Sequence, residues 1–176
     1  AMHASAHMAR YNTTLEDLAR IRVKAATYGQ LNKKGVFRKA VTLEQFEDTE
    51  GFIGGSVATP LRGGDCCANA DGSSCVIVAS EEKARAMSRK PVWIKGLGAA
   101  SASVNLAGRD SLTGLAVTTE AARQAYEMAG IEASDVHVAE VHDCFTIAEL
   151  VACEDLGFAR PGEGMELIRS GETYLE

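Results

Sequence analysis

Apolar positions recur along this chain with two different periods. Leu15, Leu18, Ile21 and Ala25 fall three or four apart, which predicts a helix reaching Gly29. Thr13 and Glu16 have the spacing of a capping box at its start. The Lys and Arg side chains on its other face read as a solvated surface. Residues 31–64 read as irregular, with a short helical piece from Leu43 to Asp48. Cys75 to Ala79 is a β-branched apolar run led in by the turn pair Asp71-Gly72, which predicts a buried strand. Ser80 then caps a short helix, Glu81 to Met87, which must end before Pro91. Val92 to Leu97 predicts another strand, and residues 98–116 a loop. Thr118 or Thr119 caps a helix with Ala122, Ala125, Tyr126 and Ala129 on one face and Gly130 as its stop.

The most informative stretch follows. Val136, Val138 and Val141 predict a strand, and Thr146 with Glu149 forms a second capping box that opens a helix. Ile147, Leu150, Val151 and Cys153 give that helix an apolar side, and Gly157, Pro161, Gly162 and Gly164 break it. Between strand and helix stand His142, Asp143, Cys144 and Phe145. The turn from a buried strand into a helix N-terminus is where open α/β sheets place their ligands. A thiol there has its pKa lowered, and an imidazole two residues away can exchange a proton with it. The alternation of helices and strands gives an α/β class. On its own, the strand–helix–strand from Cys75 to Leu97 reads as a right-handed parallel unit in one sheet.

Composition narrows the chemistry. Of 176 residues, 46% are hydrophobic, enough for a core. The net charge is −6, with no basic patch, which argues against nucleic acid as a partner. No apolar run approaches the ~20 residues that span a bilayer. Five cysteines without C-x-x-C or disulfide-like spacing read as reduced thiols in an intracellular compartment. That points to the cytoplasm, or to a peroxisome or other organelle in a eukaryote. His3 and His7, four apart, could share a helix face and hold a metal, but two partly exposed histidines are the better reading. Cys66 and Cys67 read as small buried hydrophobes beside a strand, Cys153 as core, and Glu140 as a structural ion-pair partner. Both chain ends read as cuts.

The sequence HDCF, the downstream ACEDLGFARPGEG and the upstream DCCANADGSS together resemble the thiolase superfamily. The resemblance is to the sterol-carrier-protein-X type, where HDCF stands in place of the NEAF loop, and it runs along essentially the whole chain. It implies a thiolase-like layered α/β/α/β/α fold of which this chain is the middle part. Residues 1–58 would belong to the loop domain, 59–90 to the last strand of the N-terminal core half and the connection, and 91–176 to the first part of the C-terminal half. The helix after Ser80 would then join the two halves rather than two strands of one sheet.

The implied activity is that of an acetyl-CoA acetyltransferase or 3-ketoacyl-CoA thiolase of lipid metabolism. It works by thiolysis or Claisen condensation through an acyl-cysteine. By the same resemblance His142 helps to build an oxyanion hole and Cys144 is the acid/base at the alpha carbon. Asp143 and Phe145 orient and pack the loop, Phe145 beside the substrate, and Gly114 borders the acyl pocket. The nucleophilic cysteine is expected before Ala1 and the GHP histidine after Glu176. No metal or redox cofactor is implied; acyl-CoA and CoA are substrates, and a homodimer or larger oligomer is expected. Two further readings stand beside this one. One is a thiolase-like subunit with a small zinc-ribbon/OB-fold partner, carrying out retro-aldol cleavage or channelling an acyl group. The other is a non-catalytic fragment.

Overall fold

The fold is that of a computed structural model whose described residues are 1–175. Helix α1, Met2–Tyr11, ends where Asn12 takes the left-handed conformation (φ 59°), which a short polar side chain tolerates. Helix α2 follows at once, Leu15–Gly29. Its capping box lies one residue later than the spacing predicts. The Thr14 hydroxyl accepts from the Asp17 amide at 3.1 Å, and the Asp17 carboxylate accepts from the Thr14 amide at 2.8 Å. Thr13 instead turns its hydroxyl to His7, and Glu16 pairs with Arg20 on the exposed face. A single 3-10 turn, Glu44–Phe46, replaces the longer helical piece expected there.

Strands β1, Ser56–Ala58, and β2, Leu61–Arg62, form a tight antiparallel hairpin. Helix α3, Glu81–Met87, is capped by Ser80 as the sequence predicts. Helix α4, Ala116–Ala129, has its N-cap at Leu115, three or four residues before the expected cap at Thr118 or Thr119. Gly130, at φ 69°, ends it by sending its amide back to Tyr126. Helices α5, Thr146–Asp155, and α6, Gly164–Ser170, complete the chain. Among the described residues no helix is long and apolar enough to cross a membrane.

The core forms where α1, α2, α5 and α6 meet. Leu18 and Ile21 of α2 pack with Ile147, Leu150 and Val151 of α5, Met165 and Ile168 of α6, Ala4 of α1 and Leu61 of β2. A second cluster, Ala19, Ala26, Val41 and Phe46, closes the loop region over the other side of α2. Helix α4 covers α5 from outside. Gly96 and Gly98 run close beneath α4, where a Cβ would overlap the carbonyls of Ala125 and Ala121. Glycine is required there by the close backbone approach.

Three expected strands are not built. The described residues hold one two-stranded sheet, and residues 75–79, 92–97 and 136–141 form no ladder. Most of their apolar side chains are exposed rather than buried: Val76 is 83% exposed, Val92 95% and Val138 72%, while Val136 and Val141 are half-buried. β-branched composition encodes a preference for extended backbone, but a strand exists only when another chain segment accepts and donates its hydrogen bonds. Among the described residues no segment pairs with these runs in a ladder.

Leu150 has no exposed surface and touches three helices' worth of the core. Leu150→Ala is expected to lower the unfolding free energy by about 2–5 kcal/mol, read as a drop in the urea midpoint at unchanged slope.

Candidate active site

The turn into α5 is held by an antiparallel ribbon with the segment after β2. Cys66 bridges Phe145, and the Cys67 amide donates to the Cys144 carbonyl at 3.0 Å. One step further along, the Thr146 hydroxyl donates to the buried Asp65 carboxylate at 3.0 Å. Residues 65, 66 and 67 therefore face 146, 145 and 144 in turn. This leaves the Cys144 side chain half-buried at the start of α5, with His142 and Asp143 exposed before it and Phe145 39% exposed.

Thr146 is thus not an N-cap. It is the first residue of α5, Phe145 is the cap without a side-chain bond, and the expected box with Glu149 does not form. Both side chains serve distant partners instead. The buried Glu149 carboxylate is paired with the ammonium of Lys24, which is only 9% exposed. Lys24 is a correction to the solvated face expected for α2. Its spacing of three from Ile21, itself three from Leu18, places it on the apolar stripe, and that was the available signal. Arg22 is also half-buried, stacked over Phe37 at 4.6 Å. Burial pulls its pKa down, and the negative charge of Asp143 in the turn opposes that pull. Two basic side chains of α2, Arg22 and Lys24, are therefore turned toward the turn and α5, while Arg20 stays on the exposed face.

The far end of α5 repeats the pattern. His7 is fully buried, not partly exposed as the sequence suggested. Its Nδ1 pairs with the Thr13 hydroxyl at 2.7 Å and its Nε2 meets Glu154 at 3.2 Å. The Glu154 carboxylate accepts only, so Nε2 carries the proton. Burial alone would raise the Glu154 pKa, but His7 and the amides of Gly162 and Gly164 hold it below the usual range. His3 is likewise occupied, its Nδ1 donating to the Leu112 carbonyl at 2.6 Å. Among the described residues no group of three or more His, Cys, Asp or Glu side chains is arranged to hold a metal ion.

The other cysteines differ among themselves. Cys153 is buried in α5, and burial together with Glu149 and Glu154 pushes its thiol up to about 11, where it is an inert core residue. Cys66 is half-buried and Cys67 exposed, so neither is the buried hydrophobe expected. Burial, then the charge of Asp65, raises the Cys66 thiol.

Two cavities flank α5. One, of about 500 Å³, lies between residues 136–141 and the helix, lined by Lys24, Val138, Val141, Glu149, Cys153 and Tyr174. The other, of about 280 Å³, holds Gly114 with Arg109, Leu115 and Asp155. His142, Cys144 and Phe145 line neither. Gly114 faces Asp155, whose Oδ1 would lie 2.9 Å from a Cβ at that position. Asp155 ends the helix that Thr146 begins, so roughly 14 Å of helix separates Gly114's neighbour from the His142–Phe145 turn. The structure brings His142, Cys144 and Phe145 together in one turn and sets Gly114 apart from them.

Residues 98–176 match a family model described as thiolase C-terminal domain-like. All of the chain aligns, at 37% identity, with 45% of the acetyl-CoA acetyltransferase of Methanothermobacter thermautotrophicus. Sterol carrier protein 2 of Bos taurus is 32% identical over 96% of this chain and 31% of its own length. A solved structure, the Ltp2-ChsH2(DUF35) aldolase, superposes with a TM-score of 0.88 at 30% identity, over 97% of this chain and 45% of that one.

Along its whole length the chain is similar to proteins of the thiolase superfamily.

It spans less than half the length of these thiolase-like relatives. Its fold is a partial thiolase-like α/β arrangement, in which helices and one small hairpin carry the contacts.

In this thiolase-like segment, burial raises the Asp155 carboxyl to about 6 from its ordinary 3.8, against the bond that it accepts from the Leu115 amide at 2.8 Å. The folded state therefore keeps a proton that the unfolded chain releases as pH rises between about 4 and 6. The stability that this proton contributes is fully present below about pH 4 and is lost as pH climbs through about 6. Asp155→Asn cannot ionise and keeps an acceptor for Leu115. Its melting temperature relative to wild type should rise from about pH 4 to about 6 and level off above that, measured by scanning calorimetry in matched ionic strength. A flat difference across that range would show that Asp155 titrates normally.

Proposed function

We propose that this chain supplies the HDCF loop of a thiolase-type acyl-CoA acyltransferase, which cleaves 3-ketoacyl-CoA by thiolysis or forms it by Claisen condensation through an acyl-cysteine. The observation that supports this most directly is the chain-long identity to an acetyl-CoA acetyltransferase, with HDCF held at the start of α5 by the Asp65–Cys67 ribbon. In this reading the exposed imidazole of His142 donates to the thioester oxygen, where negative charge grows as the enolate forms. The Cys144 thiolate removes the proton from the alpha carbon in the condensing direction, and its thiol returns a proton there in the cleaving direction. The half-buried position of Cys144 suits this role, because it limits water while leaving one side open to substrate. Phe145 packs beside the substrate, and Gly114 lies toward the acyl group.

The reading carries the division of the fold with it. Residues 1–58 belong to the loop domain, 59–90 to the end of the N-terminal half and its connection, and 91–176 to the C-terminal half. Coenzyme A thioesters and free coenzyme A are the substrates, with no resident metal or redox group, and the assembled enzyme is a homodimer or larger oligomer.

A second reading is favoured by the structural likeness to an aldolase named for two components. There the same loop would serve retro-aldol cleavage, in a complex with a small zinc-ribbon/OB-fold partner. Both chemistries make an enolate or its equivalent at the alpha carbon, so the turn would serve either.

In the full-length enzyme Cys144→Ala is expected to lower deuterium exchange at the alpha carbon of acetyl-CoA by at least about a hundredfold, while acyl transfer to the nucleophilic cysteine persists. Exchange followed by NMR beside trapping of the acyl-enzyme by mass spectrometry separates the two steps. Exchange that survives the substitution removes the role given to Cys144. Release of a free aldehyde or ketone from a β-hydroxyacyl-CoA, without dependence on added coenzyme A, would select the aldolase reading.

A further inference from the structure

Asp65 is 1% exposed, and each of its oxygens is committed. Oδ1 accepts from the Thr146 hydroxyl at 3.0 Å, and Oδ2 accepts from the Arg62 amide and from Arg62 Nε, both at 2.9 Å. Arg62 is itself fixed: its guanidinium donates to the Leu15 carbonyl at 2.6 Å and lies 4.4 Å over the Phe46 ring. Thr146 is 5% exposed and two residues from Cys144. We propose that Asp65 is a positioning residue that sets the orientation of the Cys144 thiol, acting through Thr146 at the base of the 65–67/144–146 ribbon.

The backbone part of the ribbon is thin. One bridge and one amide–carbonyl bond hold Cys66 and Cys67 to Phe145 and Cys144. A two-residue pairing of this kind is marginal by itself. The Asp65–Thr146 bond ties its closed end at the point where α5 begins, and the Arg62–Leu15 bond ties Asp65 to the start of α2. Without it, the turn can slide against α5 by a fraction of an ångström, and acid/base transfer at carbon is sensitive to displacements of that size. The inference rests on the acid/base role proposed for Cys144.

The test uses the full-length enzyme with Thr146→Val, which keeps the shape and removes the hydroxyl, Thr146→Ser, which restores it, and Asp65→Asn. Two quantities are read: deuterium exchange of acetyl-CoA, and the pH profile of Cys144 carbamidomethylation by iodoacetamide, followed peptide by peptide. Thr146→Val and Asp65→Asn should each lower the exchange kcat about tenfold, with KM changed less than about twofold. Both should also move the Cys144 alkylation profile, and Thr146→Ser should return both quantities toward wild type. Folded variants that exchange and alkylate as wild type does would overturn the proposal, and so would a Thr146→Ser as impaired as Thr146→Val. Should Thr146→Val not fold, Asp65→Asn against Thr146→Ser decides by the same two readouts. If Cys144→Ala itself retains exchange, the acid/base reading fails, while the alkylation profiles still decide whether Asp65 positions the thiol.

Discussion

A carboxylate withdrawn from water has to be met by a partner, or the helix that carries it cannot be buried. Helix α5 carries two such groups, Glu149 and Glu154, with Thr146 at its start and Asp155 at its end, yet Leu150 at its centre has no exposed surface. Each polar side chain is answered from a different part of the chain. Thr146 reaches Asp65, Glu149 takes Lys24 of α2, Glu154 takes His7 of α1 and the amide of Gly164, and Asp155 takes the amide of Leu115. The apolar contacts of α5 with α2 and α6 are non-directional and would tolerate small slips. The polar contacts are directional and would not. The turn that carries His142 and Cys144 is built directly on the first residue of this helix, so its geometry depends on that set of bonds.

Much of this was legible in the sequence, and the failures share one cause. The ranges of α2 and α3, the Gly130 stop and the strand-to-helix turn at 142–145 follow from short-range patterns, and the structure agrees with the first three closely. Of the two expected capping boxes, that of α2 lies one residue later and that of α5 does not form. In each case the threonine that the motif singled out, Thr13 or Thr146, had a buried partner elsewhere, His7 or Asp65. A capping motif is worth about 1 kcal/mol, which is comparable to one buried hydrogen bond, so tertiary contact can override it. Nothing local to Thr146 announces Asp65, 81 residues away. The same holds for Lys24 and Glu149, whose pairing spans 125 residues.

The unbuilt strands fail for a related reason. Val76 to Val78, Val92 to Ile94 and Val138 have the composition of buried strands and are left exposed. Composition is a property of a segment, whereas a ladder is a property of two. Where a second segment is supplied, even weakly, pairing appears: Cys66 and Phe145 bridge although neither lies in an expected strand. The identity of the candidate site was carried by motif resemblance. The Asp65 bond that holds its turn and the charge of Arg22 beside Asp143 emerged only from three-dimensional proximity, whereas Lys24 had its spacing on the apolar stripe as a signal.

The distribution of these bonds around α5 has a geometric consequence. Successive residues of an α-helix are turned by roughly 100° about its axis. Viewed down the axis from Thr146, the bonded side chains at 149, 154 and 155 point at roughly −60°, 80° and 180°. They leave no gap wider than roughly 120°. A cylinder tethered on all sides can neither spin nor advance without breaking a tether, so α5 has a fixed phase as well as a fixed place. The segment that enters it inherits that phase, and the azimuth of Cys144 becomes a property of four tethers drawn from α1, α2, the segment after β2 and the loop before α4.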